Sequence, residues 1–336
     1  MFEVPTLPAD FRPVGVGPRK GTREDKERRA ELLRSVDRGL IEAVLNDVVS
    51  RDPGVHWGDI GGLGAVKRAL YEAVILPCTC PELFQGLRRA ARGLLLFGPP
   101  GNGKTMVAKA VATESRTTFF SVSASSLVSK WVGQSEKMVR ALFAVARYLQ
   151  PAVIFIDEVD SLLSRRREDE NEAMRRVKTE FLVQFDGVGT GDGAEQVFVM
   201  AATNRPQDLD EAALRRFTKR IYVPLPEEAT REQILRHLLA KNETTVTPAE
   251  LHRLAHRTRN YSAADLTHLC EEAAMYPLRD LSPGRIAAIA ARRAPTAARP
   301  ITYNDLVRAS AAIRASVSPQ TLRELEEWDS KFGSQS

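Results

Sequence analysis

Uninterrupted apolar runs recur along the first two thirds of the chain. GLLLFG, TTFFSVS, AVIFID and QVFVMAAT begin at residues 93, 117, 152 and 196, and KRIYVPLP follows from residue 219. A strand with one face in water alternates apolar and polar residues, whereas an uninterrupted run indicates a strand that is covered on both faces. We therefore predict an α/β fold, in which a parallel sheet is flanked by helices and KRIYVPLP is the last strand.

Helical patterns lie between these runs. One helix is predicted from Lys104, and another from Met138, Leu142 and Val145, which share one face at helical spacing. Ahead of the first strand, apolar residues recur at the same spacing between residues 36 and 49. This pattern predicts a short helix before the sheet.

Beyond Pro226 the pattern becomes entirely helical. Thr230 with Gln233, and Thr247 with Glu250, have the spacing of capping boxes, so each pair predicts a helix start. We expect a small helical subdomain here, with residues 281–300 as a loop or a frayed helix. A terminal helix follows, and we expect it to dock on the body of the protein through its apolar residues Leu322, Leu325 and Trp328.

These patterns predict four parts. Residues 1–35 are rich in proline, glycine and charge, which is typical of a flexible segment. The large α/β subdomain with its leading helix takes residues 36–226, the helical subdomain residues 227–316, and the terminal helix residues 317–336.

Composition narrows the setting of the protein. No apolar run approaches the roughly 20 residues that a membrane-spanning helix needs, and the N-terminal residues lack the pattern of a signal peptide. The three cysteines are unevenly placed, which favours free thiols in a reducing compartment. We therefore expect an intracellular, cytoplasmic protein. The formal net charge of +5 fits an anionic partner but does not choose between nucleic acid, lipid and acidic protein.

A phosphate-binding motif follows the first predicted strand. The stretch GPPGNGKT fits G-x-x-x-x-G-K-[ST] and precedes a predicted helix, which is the context that phosphate binding requires. We expect Lys104 to neutralise the β- and γ-phosphates of a nucleotide, and the Thr105 hydroxyl to ligate Mg²⁺. The alternative is a glycine-rich turn without a ligand. The motif consists of Gly98, Pro99, Pro100, Gly101, Asn102, Gly103, Lys104 and Thr105.

Two adjacent carboxylates end a later strand. The run AVIFID delivers Asp157 and Glu158 to the end of a buried strand, where uncompensated charges would be costly. We expect Asp157 to hold Mg²⁺, directly or through water, and Glu158 to polarise the attacking water. Together with the phosphate loop, this pair predicts a nucleoside triphosphatase.

Three further polar residues follow the fourth run. Asn204 ends that strand and could hold the γ-phosphate or the water, although an asparagine that caps a turn would look the same. Arg215 and Arg216 come shortly after it, and phosphoryl transfer gains most from positive charge near the γ-phosphate. These arginines are either a solvated basic pair or a pair supplied to the nucleotide of a neighbouring subunit.

Taken together, these residues resemble the AAA ATPases, from about Val36 to the C-terminus. Long stretches such as RGLLLFGPPGNGKTM and ATNRPQDLDEAALRRFTKRIYV are similar to the microtubule-severing families of the meiotic clade, and Asn102 favours the spastin family among them. The resemblance implies an ATP- and Mg²⁺-dependent homohexamer, with a small helical lid domain, in which the two arginines act on the neighbour's ATP. It also implies that Asp59, Ile60, Gly62, Met106 and Ala263 lie against the nucleotide.

The same resemblance assigns two pore loops. Lys130, Trp131 and Val132 match the first, whose aromatic residues grip a peptide that is threaded through the ring. An exposed indole can intercalate between the side chains of an extended strand without reading its sequence. The alternative is that Trp131 folds into the core. Arg165, Arg166 and Arg167 match the second loop, and their charge suits the acidic C-terminal tails of tubulin.

The chain departs from the spastin pattern at several positions. That family has Tyr where Trp131 stands, whereas Trp is commoner in katanin and fidgetin-like families, and the usual histidine of the second pore loop is Asn171. Ala263 replaces a glycine, and its methyl group would loosen adenosine binding if it lies against the nucleotide. The equal alternative is a plain capping box from Ser262 to Asp265. No membrane hairpin or microtubule-interacting-and-trafficking module is recognisable, which argues against recruitment to membranes.

The leading hypothesis is therefore a hexameric ATPase of the microtubule cytoskeleton. It would bind microtubules, pull acidic tubulin tails into its pore, and have no specific nucleic-acid partner. One rival is a sister remodeller that acts on ESCRT or nucleoprotein filaments. The other is a nucleotide-gated scaffold or a ring that binds nucleic acid, for which a strong salt dependence on DNA would be the signature.

Overall fold

The computed structural model describes residues 36–50, 53–84, 86–88, 90–129, 134–165, 172–188, 196–240, 242–282 and 298–334, together with residues 284 and 289. Its strands are β1 (Val49–Ser50), β2 (Gly93–Phe97), β3 (Thr118–Ser123), β4 (Ala152–Asp157), β5 (Val197–Thr203) and β6 (Lys219–Tyr222). They form one sheet in the order β1-β3-β4-β5-β2-β6.

The helices of the large subdomain surround this sheet. They are α1 (Arg38–Asp47), α2 (Gly64–Leu70), α3 (Leu76–Thr79), α4 (Lys104–Ser115), α5 (Ala124–Ser129), α6 (Ser135–Tyr148), α7 (Asp160–Leu163), α8 (Glu172–Asp186) and α9 (Glu211–Arg216). A π-helical turn, Tyr71–Ile75, joins α2 to α3. Short 3₁₀ turns lie at Trp57–Asp59, Pro81–Leu83, Gly86–Arg88 and Pro206–Asp208.

The parallel sheet that the apolar runs predict is confirmed. Strands β2 to β6 pair in parallel, and their side chains alternate between two apolar clusters. Leu95 and Ile154 face the cluster under α6 and α8, while Leu94 and Phe155 face the cluster under α2 and α4. Because successive side chains of a strand point to opposite faces, both faces must be covered to bury such a run.

Parallel pairing brings three strand ends to one edge. Phe97 at the end of β2 pairs with Thr203 at the end of β5, and Ile156 near the end of β4 pairs with Ala201 of β5. The residues that follow β2, β4 and β5 therefore leave the sheet side by side. This edge carries the phosphate motif, the carboxylate pair and Asn204.

The leading helix is present, with a strand after it that the pattern did not predict. Helix α1 is capped by Asp37, whose carboxylate accepts a hydrogen bond of 2.8 Å from the Gly39 N–H. The two-residue strand β1 then pairs antiparallel with β3. A segment this short carries no periodicity, so only the edge of β3 reveals it.

The helical subdomain consists of α10 (Glu228–Leu239), α11 (Pro248–Arg257), α12 (Ala263–Arg279) and α13 (Tyr303–Ala312), which enclose an apolar core of their own. The capping box from Thr247 to Glu250 is present. The one predicted from Thr230 is wrong, because α10 begins after Glu227 and Thr230 lies in its first turn. Most of residues 281–300 lie outside the described residues.

Helix α14 (Pro319–Phe332) docks on the large subdomain, as its apolar face predicts. Trp328 is buried and meets Phe97 of β2 edge to face, with ring centroids 4.6 Å apart. The Ser334 N–H then donates to the Arg220 carbonyl of β6 at 2.8 Å. The end of this helix is thus fastened to the sheet beside the strand that precedes the phosphate motif.

Within the described ranges, the protein has no helix that is long and apolar enough to cross a bilayer. Cys78 and Cys270 are buried and Cys80 is partly buried, and all three are free thiols. Burial raises the pKa of Cys78 and of Cys270 to about 12, so neither is a reactive thiolate at neutral pH.

Candidate nucleotide site

The phosphate motif forms a turn that only glycine fits. Gly98, Gly101 and Gly103 have φ angles of +147°, +74° and +75°, in the region that L side chains rarely adopt. A Cβ atom on Gly98 would lie 2.3 Å from the Val223 carbonyl oxygen. The turn therefore presents its backbone N–H groups at the N-terminus of α4, where the helix dipole favours an anion.

Lys104 is buried at this turn. Its ammonium donates to the carbonyl oxygens of Gly98 at 3.0 Å and Pro99 at 2.8 Å, and the residue is 8% exposed. Burial lowers its pKa to about 8, and the negative charges of Asp157 and Asp160 offset part of that fall. The ammonium is thus folded back onto its own loop, and no carboxylate of the described residues forms an ion pair with it. It would regain stabilisation from a phosphate group.

Thr105 and Asp157 meet at the predicted metal position. The Thr105 hydroxyl donates to the Asp157 carboxylate at 2.7 Å across the gap between α4 and β4. A hydroxyl and a carboxylate oxygen are donors that Mg²⁺ prefers. The residues present fit the ion, because the two expected ligands already touch.

Glu158 has an unusual backbone for its residue type. Its φ is +51°, and its N–H donates to the other Asp157 carboxylate oxygen at 3.0 Å. The left-handed region costs an L residue about 1–2 kcal/mol. The Glu158 side chain is exposed, so a residue with a strained backbone holds a carboxylate at the sheet edge beside the phosphate motif.

Asn204 lies next to that carboxylate pair. It is exposed at the end of β5, and the preceding Thr203 donates its hydroxyl to the Asp160 carboxylate at 2.7 Å. The Val159 N–H also donates to the Ala202 carbonyl at 3.0 Å. These bonds fix the end of β5 against the turn after β4. The predicted γ-phosphate contact and the predicted water contact are therefore held on one rigid unit.

A cavity of about 1280 Å³ adjoins the phosphate loop. Its walls come from the loop before α2, from α10 and from the start of α12, and it ends at Asn102 and Gly103. This places the predicted adenine residues and the phosphate loop around one space. Asp59, Ile60, Gly62, Asn102, Gly103, Met106 and Ala263 all line it.

Two functional candidates at this cavity, Lys67 and His237, were not predicted from the sequence. Lys67 donates to the Trp57 carbonyl at 2.9 Å and to the Ile60 carbonyl at 2.6 Å, so it holds the loop that carries Asp59. Burial lowers the pKa of Lys67. His237 of α10 lines the opposite wall. No motif marks either residue, because each faces the cavity only after the helices have packed.

Thr230 does not cap its helix but packs against Gly62 at the wall of this cavity. Gly62 has a φ of +62°, and a Cβ atom on it would lie 2.3 Å from the Thr230 hydroxyl. The two residues are therefore in close contact across the cavity wall, and α10 could not pack this closely against a larger residue at position 62.

The lid also touches the phosphate loop. The Ala264 N–H at the start of α12 donates to the Gly101 carbonyl at 3.0 Å, and Ser262 with Asp265 forms a capping box. Ala263 both lines the cavity and occupies the first position of the capped helix. The two interpretations of this segment, a nucleotide contact and a helix cap, are thus geometrically compatible.

Arg215 and Arg216 lie at the opposite edge of the sheet. A Cβ atom on Gly93 at the start of β2 would lie 2.2 Å from the Arg216 carbonyl, whereas the phosphate loop follows the end of β2. The five residues of β2 are joined by four steps of about 3.3 Å, so these two edges are roughly 13 Å apart. Arg216 donates to Asp186 at 2.6 Å, while Arg215 is exposed. Neither arginine is placed beside the chain's own phosphate loop.

Three sequence comparisons match consecutive parts of the chain. The family described as "ATPase family associated with various cellular activities (AAA)" matches residues 94–225, the AAA+ lid domain residues 249–288, and the Vps4 C-terminal oligomerisation domain residues 293–333. A crystal structure of the FIGL-1 AAA domain with ADP is 46% identical, with a TM-score of 0.82 over 89% of this chain and 98% of that one. This chain belongs to the AAA ATPase family.

Other AAA ATPases lie close in sequence. Spastin of Xenopus tropicalis is 54% identical over 301 residues and spastin of Gallus gallus 53% over 308, which is 90% and 92% of this chain. The chain spans about half the length of these spastins, 49% in both cases. A structure described as the structural basis for katanin self-assembly is 38% identical, with a TM-score of 0.73 over 87% of this chain and 96% of that one.

The predicted pore loops of this AAA ATPase are described only in part. Lys130, Trp131 and Val132 lie outside the described residues, as do Arg166, Arg167 and Asn171. Arg165 is exposed, and its N–H donates to the Asp208 carbonyl at 2.8 Å. The first residue of the second loop is therefore attached to the segment that follows Asn204.

Proposed function

We propose that this chain is an ATP-hydrolysing subunit of a homohexameric ring that severs microtubules in the cytoplasm. The observation that carries the proposal is the convergence of the phosphate motif, the Asp157–Glu158 pair and Asn204 at one edge of the sheet, with Arg215 and Arg216 at the other. Such a subunit brings Lys104 to its own phosphates, whereas Arg215 and Arg216, the arginines proposed to act on the γ-phosphate, lie out of reach of its own site. Hydrolysis therefore needs a neighbour.

The residues at the sheet edge that carries the phosphate motif each have a role in this proposal. The N–H groups of the Gly98–Gly103 turn bind the phosphates, and the Lys104 ammonium leaves the Gly98 and Pro99 carbonyls to neutralise them. Thr105 and Asp157 hold Mg²⁺, which supplies charge neutralisation on the phosphate oxygens. Glu158 accepts a proton from the attacking water, and Asn204 orients that water or the γ-phosphate.

The neighbour completes the site. In a closed ring the subunits contact one another head to tail, so one edge of each subunit can face the other edge of the next. Arg215 and Arg216 would then stabilise the charge on the transferred phosphoryl group in the adjacent site, a contribution worth about 10³–10⁵ in rate. The match to the oligomerisation domain at residues 293–333 supports such an assembly.

The substrate follows from the relatives and from charge. Trp131 of six subunits would grip an extended peptide, and Arg165, Arg166 and Arg167 would attract the acidic C-terminal tails of tubulin. The identity to spastins supports this choice of substrate. Pulling on one tail transmits force to the tubulin dimer and removes it from the lattice.

A second candidate is a fidgetin-like remodeller that acts on another protein assembly. Trp131 favours it, since the spastin family has Tyr there, but the identity to the FIGL-1 AAA domain is 46%, below the 53–54% to spastins, so it stands second. It shares the ATPase chemistry and differs only in what enters the pore.

One comparison tests the proposed function. The ATPase rate is measured with intact microtubules and with microtubules whose acidic tails have been removed by limited proteolysis. We expect stimulation by the intact polymer and at least about a tenfold smaller stimulation by the clipped polymer, because the tails carry most of the charge that the pore arginines meet. Equal stimulation by both polymers, or by neither, would refute tail-dependent severing and favour the second candidate.

The ionisation of Lys104 gives a prediction for nucleotide binding. Its pKa in the free protein is about 8, and bound phosphates raise that pKa because they favour the ammonium. The bound state then holds more protons than the free state above pH 8. Affinity for a non-hydrolysable ATP analogue should therefore fall as pH rises from 8 to 9.5, by up to about tenfold per pH unit.

Calorimetry in two buffers of different ionisation enthalpy measures this proton uptake directly. The matched control is Lys104→Arg, whose guanidinium stays charged over the whole range and whose affinity, even if weaker, should not vary with pH. A wild-type affinity that is flat between pH 7.5 and 9.5 would contradict the prediction.

A further inference from the structure

Helix α9 is short, and both of its ends are fastened to α8. It has six residues, about 9 Å of helix, and it ends in Arg215 and Arg216. A helix of this length is not stable by itself, so neighbouring contacts must decide where its last turn points. They include Lys178 of α8 at the start of α9 and Asp186 of α8 at its end, beside the bond from Arg220 of β6 to the Leu214 carbonyl.

The first contact acts through one carboxylate. Asp210 is the N-cap of α9, and one of its oxygens accepts from the Ala212 N–H at 2.8 Å. Its other oxygen lies 3.0 Å from the Lys178 ammonium, whose side chain is only 5% exposed. A buried ammonium needs a compensating anion, so the position of this capping carboxylate is strongly constrained.

The same ammonium reaches a second segment. It also donates to the carbonyl of Ser164, which bridges Leu209 in antiparallel fashion. The Asp210 N–H donates to the Leu163 carbonyl at 2.9 Å. Lys178 therefore joins the end of α7, the segment after Asn204 and the cap of α9 at one buried point.

The second contact holds the arginine end. Arg216 donates from Nε to one Asp186 oxygen at 2.6 Å and from a terminal nitrogen to the other, which is the paired geometry that fixes the plane of a guanidinium. Lys178 and Asp186 are eight residues apart on α8, about 12 Å along the helix. This spacing slightly exceeds the length of α9, so α8 can hold α9 at both ends.

From this arrangement we propose that α8 orients α9, with Lys178 and Asp186 as positioning residues that aim Arg215 at the neighbouring nucleotide. The inference rests on the proposed function, because it assumes that the arginines act in the adjacent site. In it Arg216 is chiefly an anchor and Arg215 is the residue that reaches across. Lys178 contacts no reacting group, and its effect on catalysis in this proposal passes through the Asp210 cap of α9.

The test is a double-mutant cycle in the full chain. Lys178→Met removes the ammonium but keeps a long apolar stem, and Arg215→Ala removes the proposed contact with the phosphoryl group. We expect Lys178→Met to lower kcat at least about tenfold, with nucleotide affinity at its own site and the oligomeric state unchanged. If Lys178 acts only through Arg215, the double variant should have the kcat of Arg215→Ala alone, within about twofold.

Matched variants separate positioning from folding. Arg176→Met lies on the same helix, where the arginine forms an exposed pair with Glu172, and it should leave kcat unchanged. Asp210→Ser keeps a capping hydroxyl for α9 but cannot reach Lys178, so it should reproduce the kcat defect. It also serves as the test if Lys178→Met does not fold.

The outcomes distinguish this inference from the function on which it rests. If Arg215→Ala keeps wild-type kcat, the proposed action in the adjacent site fails. If Arg215→Ala loses activity but Lys178→Met or Asp210→Ser has wild-type kcat, the inference fails alone. It also fails if their effects multiply with that of Arg215→Ala, because Lys178 then acts by another route.

Discussion

Glu158→Gln should bind ATP as tightly as the wild type and hydrolyse it at least about 100-fold more slowly. The proposed role of Glu158 is to accept a proton from water, and an amide cannot, so a general-base contribution of about 10²–10⁴ is lost. Binding should survive because the Lys104, Thr105 and Asp157 side chains are untouched. Glutamine also keeps the backbone bond from residue 158 to Asp157, which forms whatever the side chain is.

This variant should consequently accumulate as an ATP-bound hexamer. Single-turnover hydrolysis measures the chemical step, and sedimentation velocity with and without ATP measures assembly. The control is Glu243→Gln, an exposed glutamate between α10 and α11, which should hydrolyse ATP at the wild-type rate. Wild-type turnover by Glu158→Gln would show that Glu158 is not the general base. A monomer in saturating ATP would contradict the proposed ring.

Arg215→Ala should lower kcat by about 10³ or more without weakening nucleotide binding at its own site. Arg215 is exposed, and the backbone of the next residue, Arg216, lies at the edge of the sheet away from the chain's own phosphate loop, so Arg215 should contribute nothing to that site. In the ring it would meet the transferred phosphoryl group of the neighbour, where such arginines contribute about 10³–10⁵. The measurements are kcat at saturating ATP and the dissociation constant of a fluorescent nucleotide.

Arg216→Ala should behave differently from Arg215→Ala. It removes the bond to Asp186 at the end of α9, so we expect a loss of kcat together with a lower melting temperature, whereas Arg215→Ala should melt as the wild type does. Arg259→Ala, which removes an exposed arginine between α11 and α12, controls for the lost charge. A large loss of nucleotide affinity in Arg215→Ala would mean that the arginine serves its own site.

Much of the site was predictable because its signals are local. The glycines at 98, 101 and 103 are required by φ angles within the turn itself, and Asp157 with Glu158 follows a strand whose apolar run is visible in the sequence. Parallel pairing of such runs then puts the residues after them at one edge. Predicting that these residues share one edge needed only a parallel sheet. The strand order in the structure then showed which of them are neighbours.

Local signals also misled where tertiary contacts decide. Thr230 and Gln233 have the spacing of a capping box, yet α10 starts earlier, and Thr230 instead packs against Gly62 at the cavity wall. A capping pattern shows that a helix could start at a residue. The pattern does not exclude a start one turn earlier, and here the helix begins at Glu228, directly after Pro224–Pro226 and the N-cap Glu227.

The sequence by itself determined the α/β class, the phosphate turn, the carboxylate pair and the helical lid, because apolar period, glycine conformation and helix caps depend on residues a few positions apart. Only the tertiary structure decided that Lys67 supports the loop before α2, that Lys178 joins three segments, and that Arg216 is bonded while Arg215 is exposed. Those contacts join residues on different elements. Their formation depends on how the strands are ordered and how the helices pack, which no short stretch of the chain contains.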